Sequence, residues 1–468
     1  MFNHDDKCTS FREHLSHLQL YSEISTVCVP ISGYLELAAL VRRCYHNNPT
    51  LAPLLFNAVD RSNWSILANL FGSKQRCAQL VTAGQKTSLC PCSSQLPAHL
   101  NSVSLFCTWL QSNEEFQPRL SQSAPMHILT GLYQLPRLQI CPDDAGVYLS
   151  MAVVVWRNFT STQVACGLYR VQIHSDKQAS IHWRPGSDGA QDYIEYQQAG
   201  IEMPVTIFLG GDPALTFAAA FPLPDGTDEY KFAAFLQQRP IDIVASEVNG
   251  LPVPAQCEFI LEGWVRPQGT LTDGPFGNHQ GFYSLPALCP IFELQRISAR
   301  SQAIFPVSII GVPPSESSAI GTCFVDFYLP LLRREIEQLV DIYMPEETVF
   351  HGCALIRLRV DPTLEQVKDQ IRSSILLRNS KLLIYVDEDI DVRQPQRVFW
   401  RVINQLRPDI VQRAGGTMEI DTTAWRKEQR QLLLLDHDIE QLLDQRWGEY
   451  GLDTDLASSR IMDDQGKQ

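Results

Sequence analysis

The sequence lacks clusters of basic residues and long apolar runs, and these absences exclude several classes of protein. Among 468 residues, 52 Asp and Glu outnumber 38 Lys and Arg, giving a formal net charge of −14. Nucleic acids and anionic membranes attract clustered positive charge, so neither is expected as the main partner. No apolar run approaches the roughly 20 residues that cross a bilayer. We therefore predict a protein without a membrane span.

The cysteines are numerous, but they lack the spacing of a disulfide framework or a zinc site. The chain has 13 of them, an odd number, scattered along its length without a preceding signal peptide. Cys90 and Cys92 form a single CxC pair in a Ser- and Pro-rich segment. Without a second pair at zinc spacing, a structural role is favoured. This cysteine usage predicts a reducing, cytoplasmic location.

A glycine-rich phosphate loop is also missing from the sequence. The GGDP segment at Gly210–Pro213 is too short for one and predicts a turn. A site for ordinary FMN or another nucleotide therefore has no support from a phosphate-binding motif.

Changes in residue pattern along the chain predict three domains, the number that its length favours. Residues 1–125 begin with two amphipathic helices, at 10–24 and 33–45, and end in a loop-rich crossing from Thr87 to Pro125. Residues 126–322 contain short β-branched segments separated by Gly, Pro or Asp, which predicts a barrel or closed sheet. Residues 323–468 alternate helices, including one at 328–343, with strands and predict a βαβ unit.

The last helical segment, residues 425–447, carries a row of apolar side chains. The residues on that helical face are Leu432, Leu435, Ile439, Leu442 and Leu443. Such a face packs on a core of its own domain or on a neighbouring subunit, and the sequence leaves both open.

Two carboxylates on an otherwise apolar strand are the first candidates for chemistry. Glu258 and Glu262 are four residues apart, so regular alternation places both on one face of the strand. Buried acids need a partner, and Arg170, at the end of GLYR on another apolar strand, is the expected one. An Arg that keeps one carboxylate ionised, while apolar surroundings protonate the other, provides both a proton donor and an acceptor. A structural ion pair is the alternative.

Ten short segments follow one another along most of the chain, among them NLFGSKQR (69–76), CPDDAGVY (141–148), GLYR (167–170), LGGDPA (209–214), DEYKFAAFL (228–236) and GPFGNHQGFY (274–283). These segments, in this order, resemble the UbiD family of non-oxidative decarboxylases. The resemblance implies an α+β protein. Its parts are an N-terminal α/β domain, a central split β-barrel of the flavin-reductase-like kind, and a C-terminal α/β domain that forms homo-oligomers, as dimers or hexamers.

The resemblance also implies a cofactor and a mechanism. Family members use prenylated FMN as the electron sink for loss of carbon dioxide from an aromatic or α,β-unsaturated acid, and the protein supplies orientation and protons. Arg170, Glu258 and Glu262 look like the family's proton-transfer network.

The family's cofactor anchors are only partly present. An Asn, a His and a Glu hold a divalent metal, usually manganese, against the flavin phosphate. Here these positions are Ala165, Gly186 and Glu229, and neither alanine nor glycine offers a ligand atom. Pro185 adjoins the second position, and Thr417 replaces a family lysine that contacts the cofactor. Relocation of the histidine ligand to His182 or His174 is less favoured than a packing role.

Two functions therefore follow from the sequence. One is an active decarboxylase of a small carboxylic acid that holds prenylated FMN through altered contacts. The other is a degenerate family member, which serves as a non-catalytic subunit or binding protein beside an active paralogue. The retained residues Arg170, Glu258 and Glu262 favour the first, and Ala165, Gly186 and Thr417 favour the second.

Overall fold

The computed structural model describes residues 10–20, 24–48, 52–81, 96–97, 99–359, 364–423 and 437–450. The chain divides into two compact units. The first comprises residues 1–335 with Met344–His351 and Ser373–Arg378, and the second comprises Ile336–Tyr343, Gly352–Arg372 and residues 379–468. The predicted N-terminal and central domains thus fall within one unit, and the three-domain boundaries stay a prediction.

The helices of the described residues are mostly short and amphipathic. They are α1 (Phe11–Leu20), α2 (Glu36–Asn47), α3 (Lys74–Val81), α4 (Val103–Ser112), α5 (Asp188–Ala199), α6 (Pro213–Ala220), α7 (Glu229–Gln237), α8 (Glu316–Glu335), α9 (Leu364–Ser373), α10 (Pro395–Gln405) and α11 (His437–Arg446). None of these helices is both long enough and apolar enough to span a bilayer.

The strands of the first unit are short, apart from two long antiparallel ones, β14 and β17. In chain order they are β1 (Ser25–Val27), β2 (Leu54–Phe56), β3 (Ser65–Ala68), β4 (Arg119–Leu120), β5 (Met126–Ile128), β6 (Val147–Leu149), β7 (Val153–Arg157), β8 (Val164–Leu168), β9 (Val171–Ile173), β10 (Gln178–Ile181), β11 (Met203–Leu209), β12 (Asp242–Ala245), β13 (Pro252–Pro254), β14 (Phe259–Asp273), β15 (Phe276–Gly277), β16 (Tyr283–Ser284), β17 (Ala287–Arg300) and β18 (Ile304–Val307).

A nine-stranded antiparallel sheet is the centre of the first unit. Its order is β6-β9-β10-β17-β14-β11-β7-β8, and β5 pairs with β17 outside this path. The β-branched segments predicted as barrel strands supply β7, β8, β11 and β14, and nearly all side chains of β7 and β11 are buried. The segments that contain β12 and β18 are exceptions. Strand β12 pairs with β13 and β4 in a three-stranded sheet, and β18 pairs in parallel with β3 in a four-stranded sheet.

Helix α4 lies where the sequence predicted a loop-rich segment. The crossing predicted from Thr87 to Pro125 contains α4, which Ser102 caps by accepting a hydrogen bond from the Leu105 amide at 3.2 Å. Phe106 of α4 packs edge-on against Phe235 of α7 and Phe327 of α8, each with ring centres 5.2 Å apart. The loop prediction was therefore wrong for 103–112, because an aromatic face outweighs the Ser-rich composition around it.

The second unit contains a mixed five-stranded sheet. Its strands are β19 (Leu339–Tyr343), β20 (Cys353–Leu358), β21 (Leu382–Asp387), β22 (Val411–Ala414) and β23 (Thr417–Asp421), in the order β19-β20-β21-β23-β22. The parallel pairing of β20 with β21, connected through α9, confirms the predicted βαβ unit. The helix predicted at 328–343 was wrong in its second half, since α8 ends at Glu335 and 339–343 is an antiparallel edge strand.

Part of the predicted terminal helix lies outside the described residues, including Leu432 and Leu435. Within α11, the side chains of Ile439 and Leu442 are exposed.

Candidate functional site

Arg170 and Asp273 form a buried ion pair at one end of the large sheet. Arg170 lies between β8 and β9, and Asp273 is the last residue of β14. The arginine Nε donates to Asp273 Oδ1 at 2.9 Å, and its Nη2 donates to the same oxygen. The side chains are 12% and 0% exposed, respectively. The guanidinium also lies over the ring of Phe276, 4.8 Å from its centre.

Three further side chains complete this cluster. Ser284 Oγ accepts a hydrogen bond from Arg170 Nη1 at 3.1 Å. His182, directly after β10, places Nδ1 3.1 Å from Arg170 Nη2 and 3.4 Å from Asp273 Oδ1. Cys289 of β17 brings its Sγ within 3.4 Å of the same imidazole nitrogen. Residues of β14 and β17 and the residue after β10, all from the large sheet, thus meet Ser284 of the two-stranded β15–β16 sheet in this cluster around Arg170.

The turn after β14 fixes the position of Asp273. Gly274 has φ of 89°, a backbone conformation that glycine adopts without a steric penalty. Its amide donates to Gln172 Oε1 at 2.9 Å, and Tyr148 donates its hydroxyl to the same oxygen at 2.9 Å. The chain is therefore held by buried hydrogen bonds immediately beyond the carboxylate.

The electrostatic state of Asp273 results from opposing influences. Burial raises the pKa of its carboxyl group. Hydrogen bonds from His182 and Arg170, together with their charges, lower the pKa by more than burial raises it, so the pKa lies below its ordinary value. Its Oδ2 atom is buried and has no hydrogen-bond partner within the part of the chain that the structure describes. A buried carboxylate with one unsatisfied oxygen is a suitable acceptor for a proton or a ligand group.

Glu258 lies at the opposite end of β14 from Asp273 and is fully buried. Arg12 of α1 donates to both of its oxygens, at 2.8 Å each. The amide of Ile304 adds a third hydrogen bond at 2.9 Å, and Arg300 Nη1 lies 3.6 Å away. These contacts satisfy the carboxylate as part of the fold.

Glu262 is also satisfied by its own neighbours. Its Oε1 accepts hydrogen bonds from Ser246 Oγ at 2.6 Å and from the Glu247 amide at 2.7 Å. Its other oxygen lies 3.4 Å from Arg296 Nε. The carboxylate anchors the turn after β12 to the sheet.

The structure therefore does not bring Arg170 together with Glu258 or Glu262 as the sequence predicted. Arg170 donates hydrogen bonds to Asp273, whereas Arg12 lies beside Glu258 and Arg296 lies beside Glu262. The physical reason is the length of β14, which extends to Asp273 rather than ending near Val265. Sequence reasoning missed Asp273, although an acid directly before the Gly-Pro turn was the available signal.

His182, Asp273 and Cys289 also have the side chains of a metal site. One ligand atom from each lies within 4.8 Å of the other two. Arg170, however, already donates hydrogen bonds to Asp273 and to His182 Nδ1. The guanidinium repels a metal cation and occupies lone pairs of Asp273 and His182 that a metal would need. The cluster is therefore better suited to acid–base chemistry.

The predicted metal anchors do not provide a complete ligand set. Ala165 is on β8 opposite Trp156. Glu229 accepts a hydrogen bond at 3.3 Å from the amide of Cys166, the residue that follows Ala165. Burial raises the pKa of Glu229 well above its ordinary value, and the charge of Asp228 raises it further. Gly186 is exposed and has φ of 78°, which disfavours any side chain there. A metal held by the family's three positions does not fit these residues.

The two remaining predicted cofactor residues have ordinary structural surroundings. Pro185 is exposed beside Gly186. Thr417, on β23 of the second unit, is buried and donates its hydroxyl to the Ser380 carbonyl at 2.9 Å. That hydroxyl is committed to the fold of its own unit.

Family models match most of the chain. The N-terminal domain of 3-octaprenyl-4-hydroxybenzoate carboxy-lyase matches residues 15–90, the Rift-related domain of this enzyme matches 119–313, and its C-terminal domain matches 319–423. An uncharacterized protein of Archaeoglobus fulgidus is 28% identical over 408 residues, covering 85% of this chain and 84% of the relative.

Solved structures share the fold. The closed form of vanillic acid decarboxylase from Sedimentibacter hydroxybenzoicus superposes with a TM-score of 0.81 at 22% identity, covering 95% of this chain and 99% of that one. An evolved dimeric form of the UbiD-class enzyme HmfF from Pelotomaculum thermopropionicum, in complex with prFMN, gives 0.75 at 20% identity, covering 89% and 95%. Together with the family models, these similarities show that the chain belongs to the UbiD family of carboxy-lyases.

Proposed function

We propose that this protein is a non-oxidative decarboxylase of an aromatic or α,β-unsaturated carboxylic acid and that Arg170 and Asp273 are its catalytic residues. The observation that carries this proposal is the buried Arg170–Asp273 pair, in which one carboxylate oxygen has no partner among the described residues. The family membership of the chain supports the reaction class.

The reaction needs a cationic group and a proton donor. Loss of carbon dioxide leaves the electron pair of the broken C–C bond on the substrate carbon, and a proton must then form the new C–H bond. In the resting site, Asp273 neutralises Arg170. When Asp273 takes up a proton, the arginine charge becomes free to hold the substrate carboxylate. Binding of the acid and protonation of Asp273 are therefore coupled, and Asp273 then donates its O–H proton to carbon.

Prenylated FMN would supply the electron sink for this chemistry when bound. Because Ala165 and Gly186 provide no metal ligands, we assign no step to a metal, and the cofactor phosphate would be held through other contacts. An apolar substrate body is supported by the exposed side chains of Phe282 and Leu285. They flank Ser284, the hydroxyl that bonds Arg170.

A second candidate function is a non-catalytic subunit of the same family. The observation that favours it is the incomplete anchor set, in which Glu229 remains without ligand atoms at positions 165 and 186. Apolar side chains exposed on α10, namely Phe399, Trp400 and Ile403, support assembly of the second unit into a homo-oligomer or with a paralogue.

One experiment separates the two functions. The protein is co-expressed with a flavin prenyltransferase, purified, and assayed for flavin absorbance and for carbon dioxide release from a panel of aromatic and unsaturated acids. A decarboxylase is coloured and active, and Asp273→Asn lowers kcat by about 100-fold or more because the proton donor is lost. Asp242→Asn, which alters the separate Arg119–Asp242 pair, is the matched control and stays active. A colourless, inactive wild type would reject the decarboxylase and favour the non-catalytic subunit.

A further inference from the structure

We propose that His182 serves the proposed decarboxylation as a positioning residue that acts through Asp273, passing to its carboxylate the proton that each turnover consumes. This inference rests on the proposed function of Asp273. It concerns a group that the reaction class itself does not specify, namely the source of the proton within this chain.

The need for such a group follows from the burial of Asp273. Every turnover consumes one proton, yet the Asp273 side chain is 0% exposed and cannot take that proton directly from bulk water. The His182 side chain is 25% exposed, and its Nδ1 lies 3.4 Å from Asp273 Oδ1. The imidazole thus reaches both the carboxylate and solvent.

The other side chains of the Arg170 cluster are poor proton carriers. Arg170 stays protonated at any physiological pH, since a guanidinium does not release its proton in proteins. Burial, together with the charge of Asp273, raises the pKa of the Cys289 thiol to about 12, so it stays protonated as well. Ser284 donates its hydroxyl to the Phe276 carbonyl. An imidazole is the side chain that ordinarily gains and loses a proton near neutral pH.

The geometry at Nδ1 allows two arrangements of the hydrogen. Without a proton, Nδ1 accepts the hydrogen bond from Arg170 Nη2 at 3.1 Å. With a proton, the same nitrogen points an N–H at Asp273 Oδ1. The imidazolium N–H bond then breaks as the Asp273 O–H bond forms, and the neutral ring accepts the Arg170 hydrogen bond until solvent protonates it again. Asp273 passes this proton to the substrate carbon, so each turnover uses one solvent proton.

The first test uses the active holoenzyme and the variant His182→Asn, whose amide retains hydrogen bonding but cannot carry a proton. We expect kcat to fall about 10- to 100-fold with little change in KM. Added imidazole buffer should restore the rate of the variant in a concentration-dependent manner and leave the wild type unaffected. A purely structural role for His182 would give a loss that buffer does not rescue, and that result would overturn the proposal.

His174→Asn is the matched control for this test. His174 is a neighbouring half-buried histidine, and its Nε2 lies 2.9 Å from Ser180 Oγ. We expect its variant to keep the wild-type rate and to show no response to imidazole. Should His182→Asn fail to fold, His182→Gln replaces it, with thermal melting as the check on folding.

The second test needs no activity and separates failure of this inference from failure of the proposed function. In the protein without cofactor, the Asp273 carboxyl is titrated by NMR with 13C-labelled aspartate, and its signal is assigned from Asp273→Asn. Because the hydrogen bond and the charge of His182 both lower the pKa of Asp273, His182→Asn, which carries no charge, should raise that pKa. His127→Asn, at an exposed histidine of β5, should leave it unchanged. An inactive wild type would reject the decarboxylase, whereas an equal Asp273 pKa in wild type and His182→Asn would overturn the proton link.

Discussion

Arg12 holds Glu258 through two parallel hydrogen bonds, and these residues are 246 positions apart in the chain. Nε donates to Oε1 and Nη2 donates to Oε2, at 2.8 Å each. Nη2 also donates to the carbonyl of Ser301 at 2.9 Å. Helix α1 is thereby fastened to the start of β14 and to the loop after β17.

Removing this arginine should destabilise the protein. Glu258 is completely buried, so Arg12→Ala leaves a buried carboxylate without its main cationic partner. Breaking a buried pair in this way costs about 3 kcal/mol of unfolding free energy. Urea denaturation measures the effect. Arg119→Ala is the control, because the Arg119 side chain is 68% exposed and its pair with Asp242 should contribute less than about 1 kcal/mol. Equal losses in the two variants would show that burial gives the Arg12 pair no special weight.

His279 should make the protein less stable as the pH falls below neutral. Burial, then the positive charge of His351, lowers the pKa of His279 to about 4, and the two Nε2 atoms lie 2.9 Å apart. An unfolded histidine titrates near pH 6.5, so the unfolded state binds more protons between about pH 6.5 and 4. The stabilising effect of neutral His279 is therefore complete above pH 6.5 and is lost as the pH falls towards 4.

The variant His279→Gln keeps a hydrogen-bonding group but cannot titrate. Between pH 7 and 4 it should lose about 2 kcal/mol less unfolding free energy than the wild type, measured by urea denaturation at each pH. His127→Gln, which changes an exposed histidine of β5, is the control and should follow the wild type. Parallel curves for His279→Gln and the wild type would contradict the assigned pKa.

Glu229 should destabilise the fold at neutral pH. Because burial raises its folded pKa, the folded state binds more protons than the unfolded state, and stability falls as the pH rises above about 4.3. Glu229→Gln keeps an acceptor for the Cys166 amide and should gain about 1 kcal/mol or more at pH 8, with no gain at pH 4.

Manganese provides a second measurement on the same variant. Because two of the three anchor positions lack ligand atoms, Mn²⁺ at about 1 mM should shift the thermal midpoint of the wild type and of Glu229→Gln by less than about 2 °C. A large rise in the wild type that disappears in Glu229→Gln would show that Glu229 still binds a metal with other ligands.

Much of the sheet was predictable from the sequence because buried β-branched residues mark strands clearly. Val153–Arg157 and Met203–Leu209 are examples, since nearly every side chain in them is buried. Helix α4 was not predictable from composition, because Ser and Gln residues surround the aromatic side chains that hold it in place. Pairing of β18 with β3 was also hidden, since a parallel partner more than 200 residues away leaves no local signal.

The site was predicted in part, and one strand explains the difference. Arg170 was predicted to pair with a buried acid and does so, but that acid was sought at positions 258 and 262. Apolar alternation stops at Val265, while residues 266–272 are polar and largely solvent-facing, so they resemble a loop. Pairing with β17 nevertheless continues to Asp273. The solvent-facing part of a strand has too few apolar residues for the sequence to show where the strand ends.

The irregular pairing of β14 with β17 has a consequence for sequence divergence in this protein. The register shifts between Glu262 and Gly263 and again between Val265 and Thr270. Since side chains alternate along a strand, these shifts help to decide which face Asp273 occupies. Substitutions at exposed positions such as Gln268, Thr270 and Thr272 should therefore be tolerated, whereas gain or loss of a single residue there would turn the carboxylate away from Arg170. The spacing of this segment is under tighter constraint than its composition.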